Sequence, residues 1–200
     1  LLALTQKNFK RLLGYSSIAH FGYLLVAVVV GNTLGMMAIS VYLLTYVASS
    51  IGAFGVIALM SDPVHGRDRD AIADYRGLYA RSPALAIALT IMLLSLAGIP
   101  LTAGFIGKFF VMAAGVSAQL WWLLGAVVAG SAIALYYYLR VVVALYQPAT
   151  SSEGHAISQG NAHAMGVAMV LALAVLTMLL GIWPQPMLDW AHGAAIAVRR

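Results

Sequence analysis

Long apolar stretches joined by short polar connections make up most of the chain. Five such segments run through residues 12–30, 36–60, 84–116, 120–146 and 164–183. A helix of about 20 apolar residues spans the hydrocarbon core of a bilayer, whereas the strands of a membrane barrel alternate apolar and polar positions. These segments do not alternate. The pattern therefore predicts an all-α, polytopic transmembrane helix bundle in a single domain, 1–200.

The third segment is too long for one straight crossing. Residues 84–116 would form a helix of about 50 Å, against a hydrocarbon core of about 30 Å. Gly98 and Pro100 lie in its middle, and proline removes a backbone donor from a helix. The segment is therefore predicted to be discontinuous around Gly98–Pro100, either as a hairpin or as two half-helices in one crossing.

The distribution of basic residues favours the single crossing. Lys7, Lys10 and Arg11, which we interpret as topology anchors, precede the first segment, and Arg140 lies near the end of the fourth. Basic residues concentrate in cytoplasmic connections, and one broken crossing places these residues on the same side as the arginines of 61–83. Connections 61–83 and 147–163 are then cytoplasmic, and a short interfacial helix is expected near 72–79.

The first residues of the chain, LLALT, are apolar and come before the first basic cluster. A secretory signal would begin with a positively charged region. We therefore interpret residues 1–6 as the tail of a preceding span, and we expect the chain to be a fragment of a longer membrane subunit.

Composition supports a membrane protein and excludes several other classes. The chain is 62% hydrophobic and only 8% charged, so it cannot cover a water-exposed surface. Apart from Lys108, the basic residues behind its net charge of +5 lie at segment ends or in the connections, which is unlike the basic, aromatic-rich patch of a nucleic-acid site. Cysteine is absent and the five histidines are scattered. We therefore expect no bound metal, iron–sulfur cluster or other cofactor on this chain.

Lys108 is the candidate for chemistry within the spans, because it is the only charged residue between Arg81 and Arg140. A charge at the bilayer centre costs about 2.5–3.5 kcal/mol on insertion scales. The lysine lies about 12 Å of helix from the end of its segment, too far for its side chain to reach water comfortably. Two interpretations stay open. Lys108 is either a proton relay in a hydrated path, which we favour, or a cap on the exposed carbonyls of the helix break.

Polar residues on the first two segments form a second group of candidates. His20 lies within the first segment, and both a hydrogen-bonded structural role and a proton-relay role are open for it. Tyr42, Tyr46 and Ser50 are spaced four residues apart and share one helix face, where they either join helices or line a path. The run Tyr136–Tyr138 is expected to form an interfacial aromatic belt. All six acidic residues lie outside the spans, so a counter-charge for Lys108 must come from elsewhere.

Two long stretches carry a family resemblance. KRLLGYSSIAHFGYLLVA and SLAGIPLTAGFIGKFF resemble the second half of the antiporter-like membrane subunits of respiratory complex I. VYLLTYVASSIGAFGV, WWLLGAVVAGSAIALYYYLR and GIWPQP support the same resemblance. It is strongest to the N-type subunits, because the L and M types carry histidines and a lysine where this chain has Tyr42, Tyr46 and Ser50.

The resemblance implies a fold with two inverted five-helix repeats, each containing a discontinuous helix with a central ionisable residue. Lys108 then matches the lysine of the periplasmic-side half channel. Gly98, Pro100, Gly104 and Gly107 belong to the same broken helix, where they either line the path or have a structural role. The first repeat, which holds the family's glutamate–lysine pair, is missing here, and its absence would explain the missing carboxylate.

The implied function is proton translocation by a membrane subunit of NADH:quinone oxidoreductase in the bacterial inner membrane. NADH, FMN, iron–sulfur clusters and quinone would bind elsewhere in the complex. The expected partners are other membrane subunits, the missing first half of the same subunit and the lipid bilayer. The alternatives are a subunit of a multi-subunit cation/proton antiporter or related membrane-bound hydrogenase, and a purely structural membrane scaffold.

Overall fold

A computed structural model describes residues 2–61, 69–148 and 161–197. Two 3₁₀ turns, Leu2–Thr5 and Ile72–Tyr75, accompany eight α-helices in this part of the chain. The helices are α1 Phe9–Val30, α2 Thr33–Met60, α3 Leu78–Arg81, α4 Pro83–Ala97, α5 Ala103–Ser117, α6 Trp121–Tyr146, α7 Asn161–Ile182 and α8 Gln185–Ala197.

The predicted all-α helix bundle is confirmed. Helices α1, α2, α6 and α7 are long and apolar enough to cross a membrane, and α4 and α5 are shorter apolar helices. Asn8 and Asn32 cap α1 and α2, each by accepting a hydrogen bond from a backbone N–H of the first turn. Helix α8 was not predicted from the sequence. Most of the predicted loop 147–163 and residues 62–68 of the first loop lie outside the described residues.

The break in the third segment lies where the sequence predicted it. Helix α4 ends at Ala97, and the next residue, Gly98, adopts the left-handed conformation with φ 84°, a conformation that costs glycine little. The Gly98 N–H donates to the carbonyls of Leu94 and Ser95, as in a typical helix terminus. Helix α5 begins after Thr102. The discontinuous helix around Gly98–Pro100 is therefore confirmed.

The two half-helices lie end to end along α2. Met92 of α4 packs at Gly52, Ser95 bonds Ser49, and Gly107 of α5 packs against Thr45. Contacts thus move steadily toward the start of α2 as the chain proceeds from α4 into α5. In a hairpin the end of α5 would return to the partners of α4. The half-helices are therefore arranged in series rather than as a hairpin.

The N-terminal segment and the 69–72 segment close one end of the bundle. Phe9 N–H donates to the Asp70 carbonyl over 2.6 Å, and Ile72 N–H donates to the Lys7 carbonyl over 2.9 Å. Lys10 Nζ lies 2.7 Å from the Asp70 carboxylate. Tyr75 packs edge-on against Phe9, with ring centroids 5.1 Å apart. We call these contacts the Asp70 clamp.

Candidate functional site

Lys108 is buried against the helix break. Its side chain is 5% exposed, and Nζ donates to the Ala97 carbonyl over 2.7 Å. Ala97 ends α4, so its carbonyl has no partner within that helix and carries part of the negative end of the helix dipole. Nζ also lies 5.4 Å from the centroid of the Tyr23 ring, within range of a cation–π interaction.

Three glycines of the broken helix make the site possible by leaving room for neighbours. A Cβ on Gly98 would approach the Lys108 side chain to 2.7 Å, and one on Gly107 would approach Thr45 Oγ1 to 2.7 Å. A Cβ on Gly104 would overlap the carbonyl oxygen of Ser95. Pro100 is exposed and lies in the break itself.

His20 lies at the centre of a hydrogen-bond network that joins three helices. Its ring is 3% exposed. Nδ1 lies 2.7 Å from Tyr42 Oη of α2, and Nε2 lies 3.2 Å from Tyr138 Oη of α6. The Tyr46 ring packs on the imidazole with centroids 4.9 Å apart. His20 therefore has a hydrogen-bond partner at each ring nitrogen.

A small polar cavity joins the two ionisable candidates. Its volume of about 10 Å³ suits about one water molecule. The residues that line it are His20, Tyr42, Thr45, Tyr46, Ser49, Ser95, Leu96, Gly104 and Lys108. The structure thus brings Lys108, His20, Tyr42 and Tyr46 together.

Ser49 and Ser95 complete the cavity wall, and the sequence prediction missed this pair. Ser49 Oγ donates to Ser95 Oγ over 2.8 Å, and Gly104 N–H donates to the same oxygen over 3.1 Å. Ser95 thereby connects α2, α4 and the start of α5. Ser50, the predicted third member of the polar face, is half-buried and does not line the cavity. The spacing from Tyr42 through Thr45 to Ser49 follows the helical repeat and could have identified Ser49.

The predicted aromatic belt at Tyr136–Tyr138 is wrong for two of its three residues. Tyr136 is 63% exposed, but Tyr137 is buried and Tyr138 is fully buried. The run lies well inside α6, which continues to Tyr146. Buried residues at helical spacing mark the inner face and could have revealed this arrangement: Ala134, Tyr138, Val141 and Leu145.

The predicted topology anchors lie at the clamped end of the bundle. Lys7 and Arg11 are exposed, whereas Lys10 pairs with Asp70. Within the described ranges, no group of three or more histidine, aspartate or glutamate side chains could hold a metal ion.

Comparison with known proteins decides the family. The model of the family described as NADH:quinone oxidoreductase/Mrp antiporter, TM, matches residues 1–134. The chain belongs to this family. With four helices long and apolar enough to cross a bilayer, membership confirms the prediction of an integral membrane protein.

Curated relatives in the family are similar over nearly the whole chain. NADH-quinone oxidoreductase subunit N of Ectopseudomonas mendocina (strain ymp) is 59% identical over 196 residues, which cover 98% of this chain and 40% of that protein. Subunit N of Chromohalobacter salexigens is 56% identical over 192 residues, or 96% of this chain and 40% of that protein. The chain thus spans about two fifths of the length of these relatives. The predicted resemblance to N-type subunits is confirmed.

A solved structure has the same fold. A chain of respiratory complex I from Thermus thermophilus, solved with bound aureothin, superposes with a TM-score of 0.80 at 38% identity. The match covers 94% of this chain and 41% of that chain. The helix order and the broken helix therefore belong to an antiporter-like membrane fold.

Proposed function

We propose that this chain forms part of a proton-translocating membrane subunit of NADH:quinone oxidoreductase in the bacterial inner membrane, with Lys108 as a proton relay. The single observation that supports this role most strongly is the position of Lys108: a buried amine at the break of a discontinuous helix, beside a water-sized polar cavity. Intramembrane ionisable groups on such broken helices are characteristic of ion pathways. Helices α4 and α5 together make one crossing, and connections 61–83 and 147–163 are cytoplasmic.

The contact between Lys108 and Ala97 couples the charge of the lysine to the helix break. A protonated amine makes a charge-assisted hydrogen bond, about twice as strong as a neutral one. When the ammonium passes one proton to water in the cavity, the neutral amine keeps hydrogens for Ala97 but loses its attraction to the negative end of α4. Proton transfer would therefore loosen the connection between α4 and α5. Capping and relay are two aspects of one role.

Electron transfer would take place elsewhere in the assembly. NADH, FMN, iron–sulfur clusters and quinone bind to other parts of the complex, and this chain supplies groups for proton transfer alone. Its partners are the other membrane subunits, the rest of the same subunit and the surrounding lipid. The names of the two curated relatives support membership of such an NADH-quinone oxidoreductase assembly.

The test uses the intact complex in sealed vesicles, where NADH oxidation and the proton gradient are recorded together. We expect Lys108→Ala to lower coupled turnover by at least about tenfold, because a positioned proton-transfer group contributes about 10²–10⁴-fold. Lys108→Arg should restore little, because arginine cannot release its proton. Lys7→Ala is the control, since Lys7 is exposed outside the spans. Wild-type pumping by both Lys108 variants, with normal assembly, would instead identify a structural scaffold in which the lysine only caps the break.

A second candidate function is cation/proton exchange, because the family description also covers Mrp antiporters. Such a subunit, or one from a related membrane-bound hydrogenase, would share the broken helix. Purification of the native complex separates these possibilities. Association with NADH-oxidising subunits supports the main proposal, whereas cation-driven proton exchange without NADH supports the antiporter.

A further inference from the structure

The hydrogen-bond network around His20 ends at a group that can only accept. Ser16 Oγ donates to the Leu13 carbonyl over 2.8 Å. Tyr138 Oη lies 2.9 Å from Ser16 Oγ and 3.2 Å from His20 Nε2. All three side chains are buried. Once the Ser16 hydrogen lies on this carbonyl, the direction of each further bond in the network follows from it.

The direction follows from counting hydrogens, because each hydroxyl has one. The hydrogen of Ser16 is used on the Leu13 carbonyl, so Ser16 Oγ accepts from Tyr138. The hydrogen of Tyr138 is then used on Ser16, so Tyr138 Oη accepts from His20. Nε2 of His20 must therefore carry a hydrogen.

Whether the other ring nitrogen, Nδ1, carries a hydrogen follows from the charge of its surroundings. Among the described residues, the cavity beside His20 is lined by Lys108 but by no carboxylate, and burial next to a cationic side chain disfavours a second positive charge. In a neutral imidazole with hydrogen on Nε2, Nδ1 is an acceptor. Tyr42 Oη, 2.7 Å away, is then the donor to Nδ1.

We propose that Ser16 and Tyr138 are positioning residues that hold His20 in the neutral tautomer with hydrogen on Nε2, leaving Nδ1 to accept from Tyr42 on the side of the Lys108 cavity. The contribution of this tautomer to proton transfer rests on the proposed function. His20 can take up a proton only at Nδ1, and only after the Tyr42 hydroxyl turns away. The proton would come from water in the cavity, and the resulting imidazolium would still donate to Tyr138 from Nε2.

The tautomer can be measured directly by solid-state ¹⁵N NMR of the histidine-labelled intact complex in bilayers. The His20 signal is assigned from the difference between the wild type and His20→Gln. We expect the wild type to show a protonated Nε2 and an unprotonated Nδ1. Ser16→Ala releases the Tyr138 hydrogen, which can then donate to Nε2, so a signal with hydrogen on Nδ1 should appear.

Two matched variants make the test specific. Ser17→Ala should keep the wild-type tautomer, because Ser17 Oγ also donates to the Leu13 carbonyl, over 2.9 Å, and is not part of the Tyr138 contact. Ser16→Thr should keep it as well, because it retains a hydroxyl. The inference is overturned if the wild-type ring carries hydrogen on Nδ1 alone or on both nitrogens, if Ser16→Ala leaves the signal unchanged, or if Ser17→Ala shifts it equally. The NMR signals do not depend on pumping. Normal pumping by the Lys108 variants would therefore contradict the proposed function without affecting the tautomer assignment.

Discussion

At the scale of single residues, the smallest side chains decide where Lys108 can lie. At Gly104 the two halves of the broken helix approach each other closely, because a Cβ there would overlap the Ser95 carbonyl oxygen. A backbone atom cannot move aside as a flexible side chain can, so the half-helices themselves would have to separate. The position of Lys108 against Ala97 therefore depends on glycine at position 104, although Gly104 has no side chain that could take part in proton transfer.

We predict that Gly104→Ala destabilises the bundle by about 1–3 kcal/mol, the usual cost of overpacking a filled interior. Gly125→Ala is the matched control, because Gly125 is a helical glycine with open space around it. There alanine should be neutral or should stabilise by up to about 1 kcal/mol. Thermal unfolding of the purified complex in detergent, followed through the assembly of this subunit, measures both. Equal midpoints for Gly104→Ala and the wild type would show that the half-helices are not held by this contact.

The sequence identified the ionisable residues of the site and the tyrosines of α2, but not how these side chains pair with one another or with α6. Lys108 and His20 stand out because each is a polar group within an apolar segment, where an ionisable side chain needs compensation. Tyr138 could not be matched to His20, because the two lie 118 positions apart and the pairing depends on how α6 is rotated. With three consecutive tyrosines, only the packing of the inner face selects the one that turns inward.

At the scale of elements, the discontinuous helix was predictable because length and backbone chemistry agree. A segment too long for the hydrocarbon core contains a glycine and a proline at its middle. The polar contact that joins the halves was not predictable, since Ser95 belongs to an apolar run and its partner is on another helix. Ser95 Oγ accepts hydrogen bonds from Ser49 and from the Gly104 N–H, one of the backbone donors that a helix start leaves without a partner.

Ser95→Ala should therefore destabilise the bundle by about 1–3 kcal/mol, because it leaves the part-buried Gly104 N–H and the buried Ser49 hydroxyl without their acceptor. Ser40→Ala is the control, because Ser40 Oγ donates only to the Met36 carbonyl of its own helix. Removing that local bond should change stability by less than about 0.5 kcal/mol. Urea or thermal titration of the two variants in the same detergent gives the comparison. Equal losses of stability in Ser95→Ala and Ser40→Ala would exclude Ser95 as the link between α4 and α5.

At the scale of the whole molecule, one long helix organises the others. Along α2, contacts with α5 and then α4 follow in order, and α8 packs against it through Met187 and Ala191 near Val41. The distribution of lysine and arginine residues in the loops predicted a single broken crossing. The serial arrangement of α4 and α5 supports that prediction. Helix α8 escaped prediction because its 13 residues are too short and too polar for the spanning pattern that revealed the other helices.

The Asp70 clamp closes the basic end of the bundle, and its ion pair should make that closure sensitive to acid. The hydrogen bond from Lys10 holds the pKa of Asp70 below its ordinary value of 3.8, and Asn8 lowers it further. A carboxyl group with a lowered pKa in the folded state stabilises that state above its unfolded pKa. The contribution is lost as the pH falls through the lowered value. Between about pH 7 and pH 5 the clamp should therefore be insensitive to pH.

Hydrogen–deuterium exchange of the intact complex tests this prediction through the Phe9 and Ile72 amides, which donate across the clamp. After correction for intrinsic rates, their protection should be constant in the neutral range and should fall below about pH 4. Asp70→Asn should reduce protection already at neutral pH and abolish the acid-dependent step, because it removes the titrating carboxylate. Asp189→Asn, a change in α8, should behave like the wild type. An acid-dependent step that survives in Asp70→Asn would assign the titration to another group and leave the clamp dependent on its backbone hydrogen bonds alone.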